Sequence, residues 1–327
     1  MLKNEAQIDA ENEDSKNRAL RIAVERNGHS ISIHKMYAIF NRFKIVHFVV
    51  GIAFAGTPSN FAELPANFGK DSLVAWCVAH RWDTADRSPA ERAVMLSELG
   101  VGRLAYNWTQ QDNPQFEEEI LQCQKHGIEY FAFWNENEEA FKLFEKYGLQ
   151  PQIWKISPSP KVDSQEEKVA AAAKQIMPFA KRAKELGSPF GLYNHLNWGG
   201  HPENLIAVCR ELHRLGYDNV GIVYNFHHSH EEMERFAAYL LLMKPPYLLC
   251  INLNGMAEKD TLIKGSFENK ILPIGSGIYE NTMIREIIDS GYDGPIGIIG
   301  HLPTQDAEKS LRDNLAGLDS ILSEHKK

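Results

Sequence analysis

The chain has few cysteines, and their spacing matches neither a structural zinc site nor a redox pair. Its 327 residues contain four cysteines, and no two are arranged as Cys-x-x-Cys. Each lies between apolar residues of a predicted strand or helix, at Cys77, Cys123, Cys209 and Cys250. We therefore expect small buried side chains, and not a disulfide framework or a set of metal ligands.

Positively charged residues are also fewer than negatively charged ones. The sequence has 35 Lys and Arg against 43 Asp and Glu, which gives a formal net charge of −8. Nucleic-acid binding usually needs a basic face, so no nucleic-acid partner is expected. Hydrophobic residues are 43 % and charged residues 24 % of the chain. This ordinary globular composition excludes a collagen-like or mostly disordered chain and allows a large core.

Long apolar runs are lacking as well, apart from one segment near the N-terminus. A membrane-spanning helix needs about 20 apolar residues. In that segment Arg42 and Lys44 precede the apolar run 45–54, and Ala53-Phe-Ala55 supplies a small-x-small cleavage site. Counted from Met36, the pattern is typical of a secretory signal peptide.

These features predict three segments before the folded part of the chain. We expect residues 36–55 to act as the signal and translation to start at Met36. Residues 1–35 are then a charged, disordered extension upstream of the true start, and residues 56–72 are a linker. The protein would be exported to the periplasm, with no membrane span in the mature chain. The alternative is an amphipathic or membrane-surface helix at 36–55 in a cytoplasmic protein.

From residue 73 onward, short apolar runs alternate with helical segments. The runs are rich in aromatic and branched residues and are apolar on both faces, as strands of a buried parallel sheet must be. The eight runs are Leu73–Val78, Arg103–Tyr106, Tyr130–Trp134, Gln152–Ile156, Phe190–Tyr193, Val220–Tyr224, Tyr247–Leu253 and Pro295–Ile299.

Capping residues delimit the helices between these runs. Ser88 is followed by Pro89 and Glu91, which is a typical helix start, and Gly100 and Gly148 are placed as left-handed C-caps. The predicted helices begin near Ser88, Phe116, Glu138, Ser164, Pro202, Tyr279 and Asp306.

Eight such units over about 250 residues predict one domain, a (β/α)8 TIM barrel at residues 73–325. The alternative, an open doubly wound sheet, usually has a glycine-rich phosphate loop after its first strand. The segment Val78-Ala-His-Arg-Trp-Asp83 stands there instead, so no nucleotide cofactor is expected.

Histidine and tryptophan concentrate at the predicted carboxyl ends of the strands, where TIM barrels build their active sites. Six of the thirteen histidines lie there: His195, His201, His227, His228, His230 and His301. Five of the six tryptophans also do: Trp82, Trp108, Trp134, Trp154 and Trp198. Imidazoles bind metals, move protons or hydrogen-bond a polyol, and aromatic faces pack on sugar rings. The pattern predicts a carbohydrate pocket; alternatively, the tryptophans cap the barrel core and some histidines are only loop residues.

Four segments carry a family resemblance. They are Tyr193-Asn-His195, Tyr224-Asn-Phe-His-His228, Asn252-Leu-Asn-Gly-Met256 and Gly291–His301. They resemble the xylose-isomerase-like TIM barrels, which include sugar phosphate isomerases and epimerases and the endonuclease IV relatives. The resemblance extends from Leu73 to Leu322. It is strongest to exported or environmental bacterial proteins described as sugar isomerase/epimerase-like.

The resemblance implies one divalent metal, but this chain departs from the family's ligands. The family's epimerases use Glu at the end of strand five, Asp in an Asp-x-x-His motif after strand six, His on strand seven and Glu after strand eight. The matching positions here are Tyr193 or Asn194, Asn225 with His228, Asn252 and His301. The anionic ligands are therefore missing. A site made of His195, His227 or His228, and His301 would still suit Zn²⁺, Mn²⁺ or a similar ion.

The resulting prediction is a sugar isomerase/epimerase-like enzyme that removes a proton next to the carbonyl of a sugar or keto-glycoside, with or without metal assistance. The candidate bases are His195, His228, Glu136 and Lys155, and the candidate acids are His301, Lys155 and a metal. Predicted substrate contacts are Trp82, Asn107, Trp108, Trp134, Trp154, Asn194, Trp198, Asn225, Asn252 and Asn254.

Two other readings of the same barrel stay open. One is a keto-glycoside lyase or hydratase. The other is a non-catalytic sugar-binding barrel that has lost the family's acidic ligands. A nuclease of the endonuclease IV type is disfavoured, because its three-zinc cluster needs several carboxylates.

Overall fold

A computed structural model of the chain describes residues 64–263, 266 and 270–325. The predicted extension and signal, residues 1–55, and most of the predicted linker lie outside the described residues. The linker's described end forms two short 3-10 helices, Ala66–Phe68 and Lys70–Ser72. Asn67 Nδ2 donates hydrogen bonds of 3.1 and 2.8 Å to the carbonyl oxygens of Tyr292 and Gly294, so this end is bonded to the segment before the last strand.

Eight parallel strands close into one barrel, as the alternation predicted. Trp76 of the first strand lies opposite Ala105 of the second and Ile299 of the last, which closes the ring. The strands are β1 Val74–Trp76, β2 Arg103–Tyr106, β3 Glu129–Trp134, β4 Gln152–Ile156, β5 Phe190–Tyr193, β6 Val220–Asn225, β7 Leu248–Leu253 and β8 Ile296–Ile299. The fold class is confirmed as a (β/α)8 TIM barrel.

One major helix follows each strand. The helices are α1 Pro89–Leu99, α2 Phe116–Lys125, α3 Glu138–Tyr147, α4 Gln165–Glu185, α5 Pro202–Arg214, α6 Phe236–Met243, α7 Glu280–Asp289 and α8 Ala307–His325. The predicted caps are confirmed: the Ser88 side chain accepts a hydrogen bond from the Glu91 N–H, and Gly100 adopts φ +74°. Sequence analysis missed α6, because this segment is apolar on nearly every face and has no 3.6-residue period.

Strand residues alternate between two apolar layers. Trp76, Trp154 and Val223 pack inside the barrel, whereas their neighbours Ile153 and Ile222 pack outward under the helices. The four cysteines are buried and unpaired, as predicted. In the described part of the chain, no helix is long and apolar enough to cross a membrane.

Candidate functional site

A pocket of about 310 Å³ opens at the carboxyl ends of the strands. It has aromatic walls and several imidazoles, and none of the described residues that line it is acidic. The lining residues are Trp76, Cys77, Arg81, Trp82, Asn107, Trp108, Thr109, Trp134, Ile156, Tyr193, His195, His227, His228 and His301. Many of the residues predicted from the strand ends therefore converge here, as the barrel geometry requires.

The aromatic wall is braced by ring contacts and hydrogen bonds. The Trp134 ring lies 5.6 Å from that of Trp76 and 5.0 Å from that of Tyr193. Trp76 Nε1 donates to the Tyr193 hydroxyl at 3.1 Å, and Trp108 Nε1 donates to the Trp134 carbonyl at 2.6 Å. Because these contacts restrict the rings, the wall presents fixed apolar faces to the pocket.

Four histidines from the ends of β5, β6 and β8 form a second wall. Ring centroids lie 4.3 Å apart for His195 and His228, 3.8 Å for His227 and His228, and 5.7 Å for His227 and His301. Burial lowers the pKa of His195 and lowers the pKa of His227 and His228 well below the usual value. Burial, assisted by Arg81, lowers the pKa of His301 to about 3. All four rings are therefore neutral near pH 7.

Cys77 holds one of these rings and was missed as a site residue. Its Sγ lies 3.0 Å from His301 Nδ1, and the Trp82 ring stacks on His301 with centroids 3.7 Å apart. The predicted first strand ran to Val78, whereas β1 ends at Trp76 and Cys77 takes φ +56°. The backbone turns earlier than the apolar run indicated, and this brings Trp76 and Cys77 to the pocket. The sequence carries no motif for Trp76 and Cys77 as pocket residues. Placing the end of β1 at Trp76 would have been the one way to predict them.

Lys270, in the connection between β7 and α7, also reaches the histidine wall. Its Nζ lies 3.2 Å from Nδ1 of His228. The side chain is half-buried, and burial lowers the pKa of Lys270. No carboxylate in the described residues forms an ion pair with it. Sequence analysis did not single it out, because no motif surrounds it.

The asparagines at the family's ligand positions bond to one another. Asn225 Nδ2 donates to Asn194 Oδ1 at 2.7 Å, and Asn252 Nδ2 donates to Asn225 Oδ1 at 2.7 Å. All three are buried. A Cβ at Gly297 would overlap the Asn252 side chain, so glycine there makes room for the chain of amides. This amide ladder joins β5, β6 and β7 below the pocket.

The remaining predicted residues do not line the pocket within the described structure. Lys155 Nζ binds Glu136 Oε2 at 2.9 Å and Asn135 Oδ1 at 2.6 Å. Trp198 Nε1 donates to Gln165 Oε1 at 2.8 Å. Trp154 is buried inside the barrel, and Asn254 donates to the Gly255 carbonyl at 2.7 Å. Their assigned roles in catalysis or binding stay predictions.

The donor set does not fit the divalent metal that the resemblance implies. The amide ladder uses the oxygens of Asn194 and Asn225 internally, and an ammonium faces Nδ1 of His228. Lys270 Nζ lies 3.2 Å from this nitrogen, so its positive charge would repel a divalent cation bound by the His228 ring. Among the described residues, no group of three or more His, Cys, Asp or Glu side chains is arranged to hold a metal ion. The predicted Zn²⁺ or Mn²⁺ site therefore has no matching ligand group there.

Comparisons with known proteins agree with this architecture. A family model described as a xylose isomerase-like TIM barrel matches residues 95–321. No curated protein sequence matches the chain.

Solved structures share the fold at low sequence identity. A probable 3-DHS dehydratase from Bacillus anthracis has a TM-score of 0.60 at 12% identity, covering 76% of this chain and 98% of that one. The 3-keto-D-glucoside 4-epimerase of E. coli has a TM-score of 0.53 at 14% identity, covering 76% and 98%. The IolI protein, solved with a bound zinc atom, has a TM-score of 0.54 at 11% identity, covering 77% and 99%.

Proposed function

The chain belongs to the xylose isomerase-like TIM barrel family, and on that premise we propose that it is a carbohydrate-modifying enzyme. The proposed reaction is isomerisation or epimerisation of a sugar or keto-glycoside, through removal of a proton next to a carbonyl. One observation carries the proposal: a pocket with flat aromatic faces on one side and four neutral imidazoles on the other.

The pocket's size and surface suit one sugar unit. Its volume of about 310 Å³ is at the lower end of small-molecule sites, which span roughly 300–1,000 Å³. The faces of Trp76, Trp108 and Trp134 supply apolar surface for a pyranose ring, while Asn107 offers an amide. The E. coli structure that shares the fold is a 3-keto-D-glucoside 4-epimerase, which supports a keto-glycoside. Export, as predicted for residues 36–55, would also favour glycoside-derived substrates over sugar phosphates.

His195 is our proposed base. A base must be neutral and within reach of the substrate, and the His195 ring lies exposed at the pocket with a pKa lowered by burial of part of the ring. His228 is less suited, because its Nδ1 already faces the ammonium of Lys270. Glu136 and Lys155 bind each other away from the lining.

His228 is our proposed hydrogen-bond donor to the substrate's carbonyl oxygen. When His195 takes the proton, the C–H electron pair forms a C=C bond, and negative charge develops on that oxygen. A donor placed there stabilises the enolate. Protonation of the same carbon from its other face, by water or another donor in the pocket, gives epimerisation. In isomerisation the His195 imidazolium returns the proton to the former carbonyl carbon, while the neighbouring hydroxyl passes its proton to the former carbonyl oxygen.

A β-elimination is the second candidate, and the dehydratase with the same fold favours it. It starts with the same proton removal, after which the enolate expels a hydroxyl or glycosyl group from the β-carbon. The leaving group takes a proton from a donor in the pocket or from water. Elimination and isomerisation or epimerisation therefore give different products, but in both His195 removes the first proton.

Deuterium exchange tests the shared step. We expect the protein in D2O to introduce deuterium next to the carbonyl of a 3-keto-glucoside. Proton NMR would measure this exchange as loss of the signal of that proton. His195→Gln should lower the exchange rate by about 10²-fold or more. The matched control is His126→Gln, because His126 lies at the C-terminal end of α2, on the opposite side of the barrel from the pocket.

Two results would contradict the proposal. Sugar binding without exchange would indicate the non-catalytic barrel. Equal exchange in His195→Gln and His126→Gln would remove His195 as the base.

A further inference from the structure

A lysine ammonium occupies the part of the histidine wall where a metal was expected. Lys270 Nζ lies 3.2 Å from Nδ1 of His228, and His228 matches the histidine of the family's strand-six motif. The side chain is half-buried, and within the described residues no carboxylate pairs with it. Burial is the main cause of the lowered pKa of each pocket histidine, and the charge of Lys270 contributes at all four. A cation is thus built into a group of neutral rings.

This contact determines which nitrogen of His228 carries the proton. An ammonium has three donors and no acceptor, so Nδ1 of His228 must accept the hydrogen bond. A neutral imidazole that accepts at Nδ1 carries its proton on Nε2. His228, which lines the pocket, is therefore held as an Nε2–H donor. The ammonium bonded to Nδ1 also polarises the ring and makes this N–H a stronger donor, because hydrogen bonds linked in a chain strengthen one another.

We propose that Lys270 and His228 form a two-residue cationic relay that polarises the substrate's carbonyl in place of a metal ion. Lys270 is a positioning residue, and His228 is the residue that contacts substrate. In the relay Lys270 keeps its proton, and His228 lends its Nε2–H to the oxygen without transferring it. The C–H proton goes to His195, and its electron pair becomes the C=C bond of the enolate.

The role in turnover rests on the function proposed above, whereas the hydrogen bond itself is tested without substrate. We would label the histidines of the full chain with ¹⁵N and assign the His228 ring by its loss in His228→Asn. We expect the wild-type ring to be protonated at Nε2 and unprotonated at Nδ1. In Lys270→Met the ring should become a mixture of tautomers. A wild-type ring protonated at Nδ1 would overturn the relay even if Lys270→Met failed to fold.

Kinetics test the relay during turnover. Since polarisation matters most when charge develops on the oxygen, Lys270→Met should lower kcat by about 10- to 100-fold and change KM by less than about threefold. Lys270→Arg keeps the charge and should recover part of the loss. Lys259→Met is the matched control, because Lys259 lies in the same connection and pairs with Glu231 at the surface.

The kinetic results separate the alternatives. A loss confined to KM would assign Lys270 to binding an anionic group of the substrate and would overturn the relay. Equal rates for Lys270→Met and Lys259→Met would overturn it as well. Failure of every tested sugar to exchange deuterium would instead overturn the proposed function, while the tautomer of His228 would still decide the hydrogen bond.

Discussion

At the scale of single residues, the chemistry of this site depends on what each imidazole contacts. His301 is held between the Cys77 thiol and the Trp82 ring, and His228 faces Lys270. His195 lies at the exposed rim. Three residues of one type thus have different surroundings, which suits them to different tasks as donor and base.

Acid should destabilise the fold through the buried histidines. Burial lowers the pKa of His227 and His228 well below 6.5 and that of His301 to about 3. Between these values and 6.5 the unfolded chain binds more protons than the folded chain, so the free energy of unfolding decreases as the pH falls below 6.5. Each such histidine contributes at most about 1.4 kcal/mol per pH unit.

Urea unfolding between pH 7.5 and 5 measures this dependence, in a range where free carboxylates stay ionised. His301→Gln should show a smaller decrease than the wild-type protein, and His126→Gln should show the wild-type decrease. Identical pH dependence in all three proteins would refute the assignment.

At the scale of secondary-structure elements, the strand ends shape the pocket and the amide ladder ties three of them together. Asn225 of β6 bonds Asn194 just after β5 and Asn252 of β7. Amides serve here because each side chain both donates and accepts, which lets three buried polar groups satisfy one another. Carboxylates at these positions would need a cation or added protons.

Restoring the family's aspartate at Asn225 should therefore destabilise the barrel. The variant Asn225→Asp loses the donors to Asn194 Oδ1 and to the Val223 carbonyl, which lie 2.7 and 3.2 Å from Nδ2. It also buries a charge, so we expect the free energy of unfolding to fall by about 3 kcal/mol or more. Asn281→Asp, in the first turn of α7, is the control and should stay within about 0.5 kcal/mol of wild type. Equal stability of the two variants in urea would contradict the role of the ladder.

At the scale of the whole molecule, the acidic charge and the pocket are separated. The chain has a formal net charge of −8, and many carboxylates pair with Lys or Arg at the exposed surface, as Glu138 and Glu145 do with Arg182. In the described residues, no Asp or Glu lines the pocket, and Arg81 and Lys270 bring positive charge to it. The molecule therefore offers an anionic exterior and a neutral to cationic site.

This separation predicts activity without a divalent metal. Protein dialysed against EDTA should retain deuterium exchange within about twofold of untreated protein. No carboxylate among the described residues lines the pocket to neutralise a divalent ion, and the Lys270 ammonium beside His228 repels one. Elemental analysis of protein purified without chelator should find far less than one metal per chain. Stoichiometric metal together with activity lost to EDTA and restored by Zn²⁺ or Mn²⁺ would contradict the prediction.

The sequence by itself determined the barrel, because alternation of apolar runs and capped helices is a local pattern. Ser88 and Gly100 marked helix ends, and the clustering of histidine and tryptophan predicted a pocket at the carboxyl ends of the strands, where the structure has one. Because the prediction depended on local patterns, it missed α6, whose apolar segment has no 3.6-residue period.

Only the tertiary structure decided which side chains meet in the pocket. Cys77 reaches His301 across 224 residues of chain because β1 pairs with β8, and Lys270 reaches His228 through a connection without a motif. The asparagines form a ladder because β5, β6 and β7 bring them within hydrogen-bonding distance. The closed barrel sets the distances between these side chains. A pattern of residues along the chain does not contain them.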